Sequence, residues 1–169
     1  MVGIGIGIGI GLSGRRSAAR VNQNLEMSHD IVFQHQILSL VDKTNEGAVV
    51  QALALPWKAL YDALIQDNSL LFVFSANPEK FEEFIAASYE REGWDRVILT
   101  PRSGDGGRDV IAEKHGFGSI RVLDQCKAFS KRHLVGHSDV RAMLGVLHSD
   151  HGASKAVIST TSDFAPGNV

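Results

Sequence analysis

Two runs, Arg108-Asp109-Val110-Ile111-Ala112-Glu113-Lys114 and Ile120-Arg121-Val122-Leu123-Asp124-Gln125-Cys126-Lys127-Ala128, decide how this chain folds. Both are rich in aliphatic and β-branched residues and carry no proline, as strands do. Between them His115-Gly116-Phe117-Gly118 reads as a short hairpin link. Side chains alternate along a strand. Asp109, Ile111 and Glu113 therefore share one face of the first run, and Leu123, Gln125 and Lys127 share one face of the second. An antiparallel pairing sets Asp109 beside Gln125 and Lys127.

Working outward, residues 95–100 hold Val97-Ile98-Leu99, a third strand, and 101–107 is a turn rich in Gly, Ser and Asp. Upstream, Asn77 and Pro78 start a helix, one as N-cap and the other in the first turn. Glu79, Glu82 and Glu83 follow in the early turns, where the helix dipole favours acids. Phe81, Phe84, Ile85, Ser88 and Tyr89 make a stripe of period 3.6, and Gly93 ends the helix. Glu83 lies nearly opposite that stripe, in solvent, whereas Glu82 lies on its flank and is able to point into a site. Downstream, 140–147 reads as a helix and 156–160 as a last strand. The order is helix, three strands, helix, strand: an α/β chain with a mixed sheet flanked by helices.

Residues 30–75 read as helical, from Ile31, Leu38 and Val41 and from Leu55, Leu60 and Leu64. The chain thus divides into a low-complexity head (1–20), a helical leader segment (21–76) and a main domain (77–169). The head alternates glycine and isoleucine, which is costly to order as a strand. Within it Gly9-Ile10-Gly11-Leu12-Ser13-Gly14 fits G-x-G-x-x-G, but 21–30 shows no following strand with an acidic end. The match is a coincidence of composition. The chain stops at Phe164-Ala165-Pro166-Gly167-Asn168-Val169, where a further helix would normally cover an open sheet, so a truncated C-terminus is expected.

With 169 residues, 44% apolar and 21% charged, the chain has room for one real core and excludes wholesale disorder. A net charge of −2 excludes coating of nucleic acid by bulk charge. Yet residues 91–141 hold ten Lys/Arg against seven Asp/Glu, so this stretch is where an anionic ligand is tolerated. One cysteine excludes an internal disulfide and points to a reducing, cytoplasmic setting. The longest apolar-plus-glycine run, 2–12, falls short of the roughly 20 residues a membrane helix needs. It also lacks a signal peptide's basic start and cleavage site.

A carboxylate, an amide oxygen and an ammonium on one sheet face suit metal-assisted phosphodiester hydrolysis. Asp109 and the Gln125 side-chain oxygen are hard ligands for a divalent ion, Mg2+ above all. Such an ion polarises a phosphate and lowers the pKa of bound water. Lys127 orients or deprotonates that water, or neutralises developing charge. Glu82 reaches the same ion, or a second one, through water. A purely structural Asp109–Lys127 ion pair is the other reading of these residues.

The runs Phe81-Glu82-Glu83-Phe84, Gly93-Trp94, Ser103-Gly104-Asp105-Gly106-Gly107-Arg108-Asp109-Val110-Ile111-Ala112, Gln125-Cys126-Lys127 and Ile158-Ser159-Thr160-Thr161-Ser162-Asp163-Phe164 together resemble the catalytic domain of Mrr-like type IV restriction endonucleases. These belong to the PD-(D/E)XK nucleases, and the likeness covers about 78–167. It implies that Asp109 is the metal-binding aspartate, Lys127 the catalytic lysine and Glu82 the first-helix glutamate. Gln125 stands where the wider fold has Asp or Glu, a replacement expected in this branch. The backbone carbonyl of Cys126 is then a further metal ligand. Asp105 belongs to the glycine-rich turn and reads first as its cap, second as a metal ligand. The implied function is a Mg2+-dependent endonuclease acting on double-stranded DNA in defence against foreign or modified DNA. Family members cut modified DNA through a separate reader domain, which is not evident in 1–75. Cutting both strands needs two sites, so a homo-oligomer is expected.

Competing readings are a catalytically inactive DNA-binding module on the same fold, a repair or recombination nuclease, and a poorly folded remnant. His133, His137, His148 and His151 suit helix ends and phosphate better than zinc, which needs four convergent ligands. Cys126 alternates away from Gln125 and Lys127 and reads as a small buried residue, not a nucleophile. Arg102, Arg108, Lys131 and Arg132 are either phosphate-backbone contacts or solvated loop charges.

Overall fold

The computed structural model describes residues 35–102 and 106–167. The Gly-Ile head, the G-x-G-x-x-G match, the 21–30 stretch and Asp105 lie outside the described residues. The elements in chain order are β1 (Leu38–Thr44), β2 (Gly47–Ala52), α1 (Ala54–Gln66), a 3-10 segment (Asn68–Ala76), α2 (Pro78–Arg91), β3 (Arg96–Leu99), β4 (Val110–Gly116), β5 (Gly118–Lys127), α3 (His137–Ser149) and β6 (Lys155–Thr160). The strands form one sheet in the order β1-β2-β3-β4-β5-β6. Neighbours are antiparallel except β5 and β6, which are parallel and joined through α3. The architecture is therefore the mixed sheet with flanking helices expected from the sequence.

Alternation along the strands divides the core in two. Val97, Val110 and Cys126 face α2 and pack with Phe74, Phe81, Phe84 and Ile85. Ile98, Ile111 and Leu123 face the other way and pack with Met143 of α3. So α2 covers one face of the sheet and α3 the other. The α2 helix begins as its sequence dictates: the Asn77 side chain accepts from the Lys80 N–H at 3.4 Å, Pro78 follows, and Glu79 sits in the first turn. It ends at Gly93, whose φ of +82° is open to glycine and costly for other residues. Among the described residues no helix is long and apolar enough to cross a membrane.

The helical leader is corrected in part. Residues 54–76 are helical, with Leu60 and Leu64 buried as predicted and Leu55 exposed. Residues 38–52 instead form the β1–β2 hairpin. Thr44-Asn45-Glu46-Gly47 is its turn, closed by the Thr44 hydroxyl, which donates to the Gly47 carbonyl at 3.1 Å and accepts from the Glu46 N–H at 3.2 Å. The β-branched Val49-Val50 pair favours the strand. The helical spacing of Leu38 and Val41 is coincidental: Leu38 is buried and Val41 exposed, and a β-bulge between Leu40 and Asp42 shifts the register there. The hairpin extends the same sheet, and Ile37, Leu38 and Val50 lie in the α2-side core.

Candidate active site

The β4–β5 register pairs Val110 with Asp124 and Ile111 with Leu123. Continuing it outward brings Asp109, just before β4, alongside Gln125 near the end of β5. Two bonds fix Asp109 there. Its N–H donates to the Asp124 carbonyl at 2.9 Å, and its Oδ2 accepts from the Cys126 N–H at 2.6 Å. Main chain and carboxylate alike are held against β5.

Gln125 and Lys127 alternate with Cys126 and so lie on the α3 face of β5. The Gln125 Oε1 is buried and has no hydrogen-bond partner. A buried amide oxygen without a partner costs about 1–3 kcal/mol and calls for an explanation, a bound ion or water among them. The Lys127 ammonium lies 3.5 Å from Asp139 Oδ1 and 5.9 Å from the centre of the Phe129 ring. The predicted trio therefore assembles at one end of the sheet, with the amide oxygen and the ammonium on one face.

Glu82 approaches from the other side. It stands half-buried on α2, which covers the Cys126 face of the sheet. Its charge is felt at Cys126: burial foremost, then Asp124, Asp109 and Glu82, pushes that thiol well above its ordinary range. Cys126 packs against the α2-side core and stays a protonated thiol, as the alternation predicted. Glu83 pairs with Lys80 at 2.6 Å.

Several residues that build the site were not singled out from the sequence. Asp124 is 1% exposed. Its carboxylate accepts from Tyr89 OH at 2.9 Å, Ser159 Oγ at 2.8 Å and Ser159 N–H at 3.2 Å. Burial raises its pKa to about 6; the bonds from Ser159 and Tyr89 work against that rise, and the neighbouring Asp109 charge adds to it. At the end of β6 the Thr160 hydroxyl donates to the Lys127 carbonyl at 2.9 Å, and the Thr161 N–H to the same oxygen at 3.2 Å. The Thr161 hydroxyl donates to the Phe129 carbonyl at 2.7 Å. The Ser159-Thr160-Thr161 run thus clamps β5 where Lys127 leaves it. The visible signal was the strand-end cluster of hydroxyls; its target required the parallel β5–β6 register.

The basic residues separate into two groups. Arg102 pairs with Glu79, and Arg108 reaches Glu46 at 3.5 Å and Asp150 at 3.9 Å, so these two are engaged within the fold. Lys131 and Arg132 are exposed in the loop between β5 and α3, beside the site. His133 in that loop stacks on Phe129 with ring centres 3.9 Å apart and the rings nearly parallel. His137 opens α3 while His148 lies in its last turn and His151 beyond it, so they do not converge. Among the described residues no group of three or more His, Cys, Asp or Glu is placed to hold a metal ion. The donor set at the strand end is instead one carboxylate, one orphaned amide oxygen and main-chain oxygen. Hard oxygen donors of this kind fit Mg2+.

A sheet with helices on both faces and an aspartate, glutamine and lysine gathered at the β4–β5 end is the frame of a restriction-type nuclease domain. The family model of the Mrr catalytic domain, described as a restriction endonuclease, matches residues 74–167, more than half of the sequence. The chain belongs to that family of DNA endonucleases. The chain is also similar to a solved structure, the MspJI restriction endonuclease in complex with a 27-mer oligonucleotide, at 24% identity and a TM-score of 0.33. That similarity covers 67% of this chain and 25% of the MspJI chain. No curated protein matches.

Proposed function

We propose that the protein is a Mg2+-dependent endonuclease that hydrolyses phosphodiester bonds of double-stranded DNA, in restriction-type defence against foreign or modified DNA. The observation that carries this reading is the buried, partnerless Gln125 Oε1 on the same sheet face as Lys127, next to the strand end where Asp109 is fixed. Asp109, Gln125 Oε1 and the Cys126 carbonyl would hold the ion, with Glu82 assisting from the α2 side. When bound, the ion supplies charge to polarise the phosphate and to acidify water. Lys127 places a positive charge where the phosphate gains negative charge in the transition state. Its Nζ is also the group positioned to orient the attacking water or take its proton. The exposed Lys131 and Arg132 extend positive charge from the site along the β5–α3 loop, which suits a phosphate backbone. Two such sites, on a homo-oligomer, would cut both strands.

Conversion of supercoiled plasmid to open-circle form tests this. Wild type with Mg2+ is expected to nick, and chelation to stop it. Lys127→Ala is expected to slow nicking at least a hundredfold, while still retarding plasmid on a gel. An intact plasmid with wild type at every Mg2+ concentration, or equal rates for wild type and Lys127→Ala, rejects the hydrolytic reading. Retardation without cleavage in both would support the binding-module reading instead.

A further inference from the structure

We propose that Asp139 is a positioning residue for Lys127, an inference that rests on the nuclease reading above. The two oxygens of its carboxylate divide the work. Oδ2 accepts from the Gly136 N–H at 2.9 Å and so caps the first turn of α3. Oδ1 lies 3.5 Å from Lys127 Nζ.

The cap makes Asp139 a fixed point. The residues before α3 are pinned to the segment after β6: the Val135 N–H donates to Asp163 and the Ala165 N–H to Val135, both at 2.9 Å, and Val135 is fully buried. Lys127 needs a fixed point, because its four-carbon stem has large rotamer freedom. Its main chain is clamped by Thr160 and Thr161, but that clamp leaves Nζ undirected. The Phe129 ring at 5.9 Å and Asp139 at 3.5 Å are the groups the ammonium meets, on the sheet face it shares with Gln125. Both side chains of the pair remain about a fifth exposed (22% and 23%). For a part-buried pair the cost of desolvation offsets much of the attraction, so its worth lies in where it keeps the charge. A phosphate entering the site meets an ammonium already in place.

Because cap and tie are separate, substitutions separate them. Asp139→Asn keeps an oxygen for Gly136 and removes the charge. Asp139→Glu keeps the charge, and glutamate at this third helical position is a good cap. Purified wild type and both variants are compared in plasmid nicking, thermal melting and crystal structures. Asp139→Asn is expected to lower kcat roughly tenfold without raising KM or lowering Tm. Asp139→Glu is expected to stay within about twofold of wild type. Lys127 is expected to be ordered beside residue 139 in wild type and to lose that order in Asp139→Asn. A wild type that nicks while Asp139→Asn nicks equally fast overturns the inference and leaves the nuclease reading intact. Equal loss of activity and Tm in both variants overturns it too, reducing Asp139 to a cap. Should wild type not nick, the nuclease reading falls, and an equally ordered Lys127 in wild type and Asp139→Asn overturns the tie as well.

Discussion

Asp124 shows how a single residue reconciles packing with charge. It precedes Gln125 on β5 and its carbonyl takes the Asp109 N–H, yet its side chain faces the α2-side core, where water cannot solvate it. Three donors offset part of that cost, and its pKa still rises to about 6. A carboxyl whose folded pKa exceeds its unfolded value favours folding when protonated. The stability it contributes is present below the unfolded pKa of about 3.8 and is lost as pH rises through about 6. Asp124→Asn carries no such titration. In metal-free urea melts the wild type should therefore lose stability relative to Asp124→Asn between pH 4 and 7, by an amount on the order of 3 kcal/mol at most. Parallel stability curves for the two proteins across that range would show that Asp124 does not titrate with the fold. At this scale the site was largely legible. Period-two alternation alone placed Gln125 and Lys127 together and turned Cys126 away. Asp124, Ser159 and Asp139 were not legible, because Asp124 and Ser159 meet only across 35 residues and Asp139 reaches Lys127 from a different element, and no local spacing reveals such a partner.

At the scale of elements, the hairpin that sequence spacing concealed is joined to the rest of the sheet by a narrow contact. β2 pairs with β3 only at Ala48↔Leu99 and Val49↔Ile98. Gly47 makes that approach possible. Its φ is +148°, and a Cβ there would run into the Leu99 carbonyl oxygen and the Thr100 Cα. Both obstacles are backbone, so neither moves cheaply. Gly47→Ala should cost about 2 kcal/mol or more. It should also speed hydrogen exchange at Ala48 and Val49 before it affects β4 and β5. Unchanged urea midpoints and protection would mean the strands slide to accommodate the methyl group. This joint also explains where sequence reading of the fold succeeded and failed. From Asn77 onward, cap, stripe and strand signals agree with one another, and every predicted helix and strand formed. In 38–52 a bulge broke the period of two that would have marked a strand, and the turn at Thr44–Gly47 was the signal passed over.

Across the whole molecule, one half-buried ion network ties the leader hairpin to the catalytic frame. Arg121 on β5 reaches Glu46 of the hairpin turn at 2.5 Å, Glu113 of β4 at 2.5 Å and Asp150 beyond α3 at 3.1 Å. Arg108, one residue from Asp109, joins Glu46 and Asp150 in the same network, and Arg96 joins Glu113 at 3.3 Å. Three arginines balance three acids, drawn from four strands or their ends and the helix that covers them. Such clusters stabilise little over an apolar substitute, but removing one member weakens the charge balance of the rest. Arg121→Ala removes the arginine that touches all three acids and leaves Glu113 only Arg96, and Glu46 and Asp150 only the longer contacts to Arg108. The expected loss is about 3 kcal/mol at neutral pH, read as a drop in urea midpoint. Burial works against the charged form of Asp150, but the Arg121 bond outweighs it and holds that carboxyl below its ordinary range, so the deficit should shrink as pH falls toward 4 and below. Screening reaches partly buried pairs poorly, so the loss should survive high salt. A surface role for Arg121 would give the opposite pattern: a deficit of a few tenths of a kcal/mol, erased by salt and indifferent to pH.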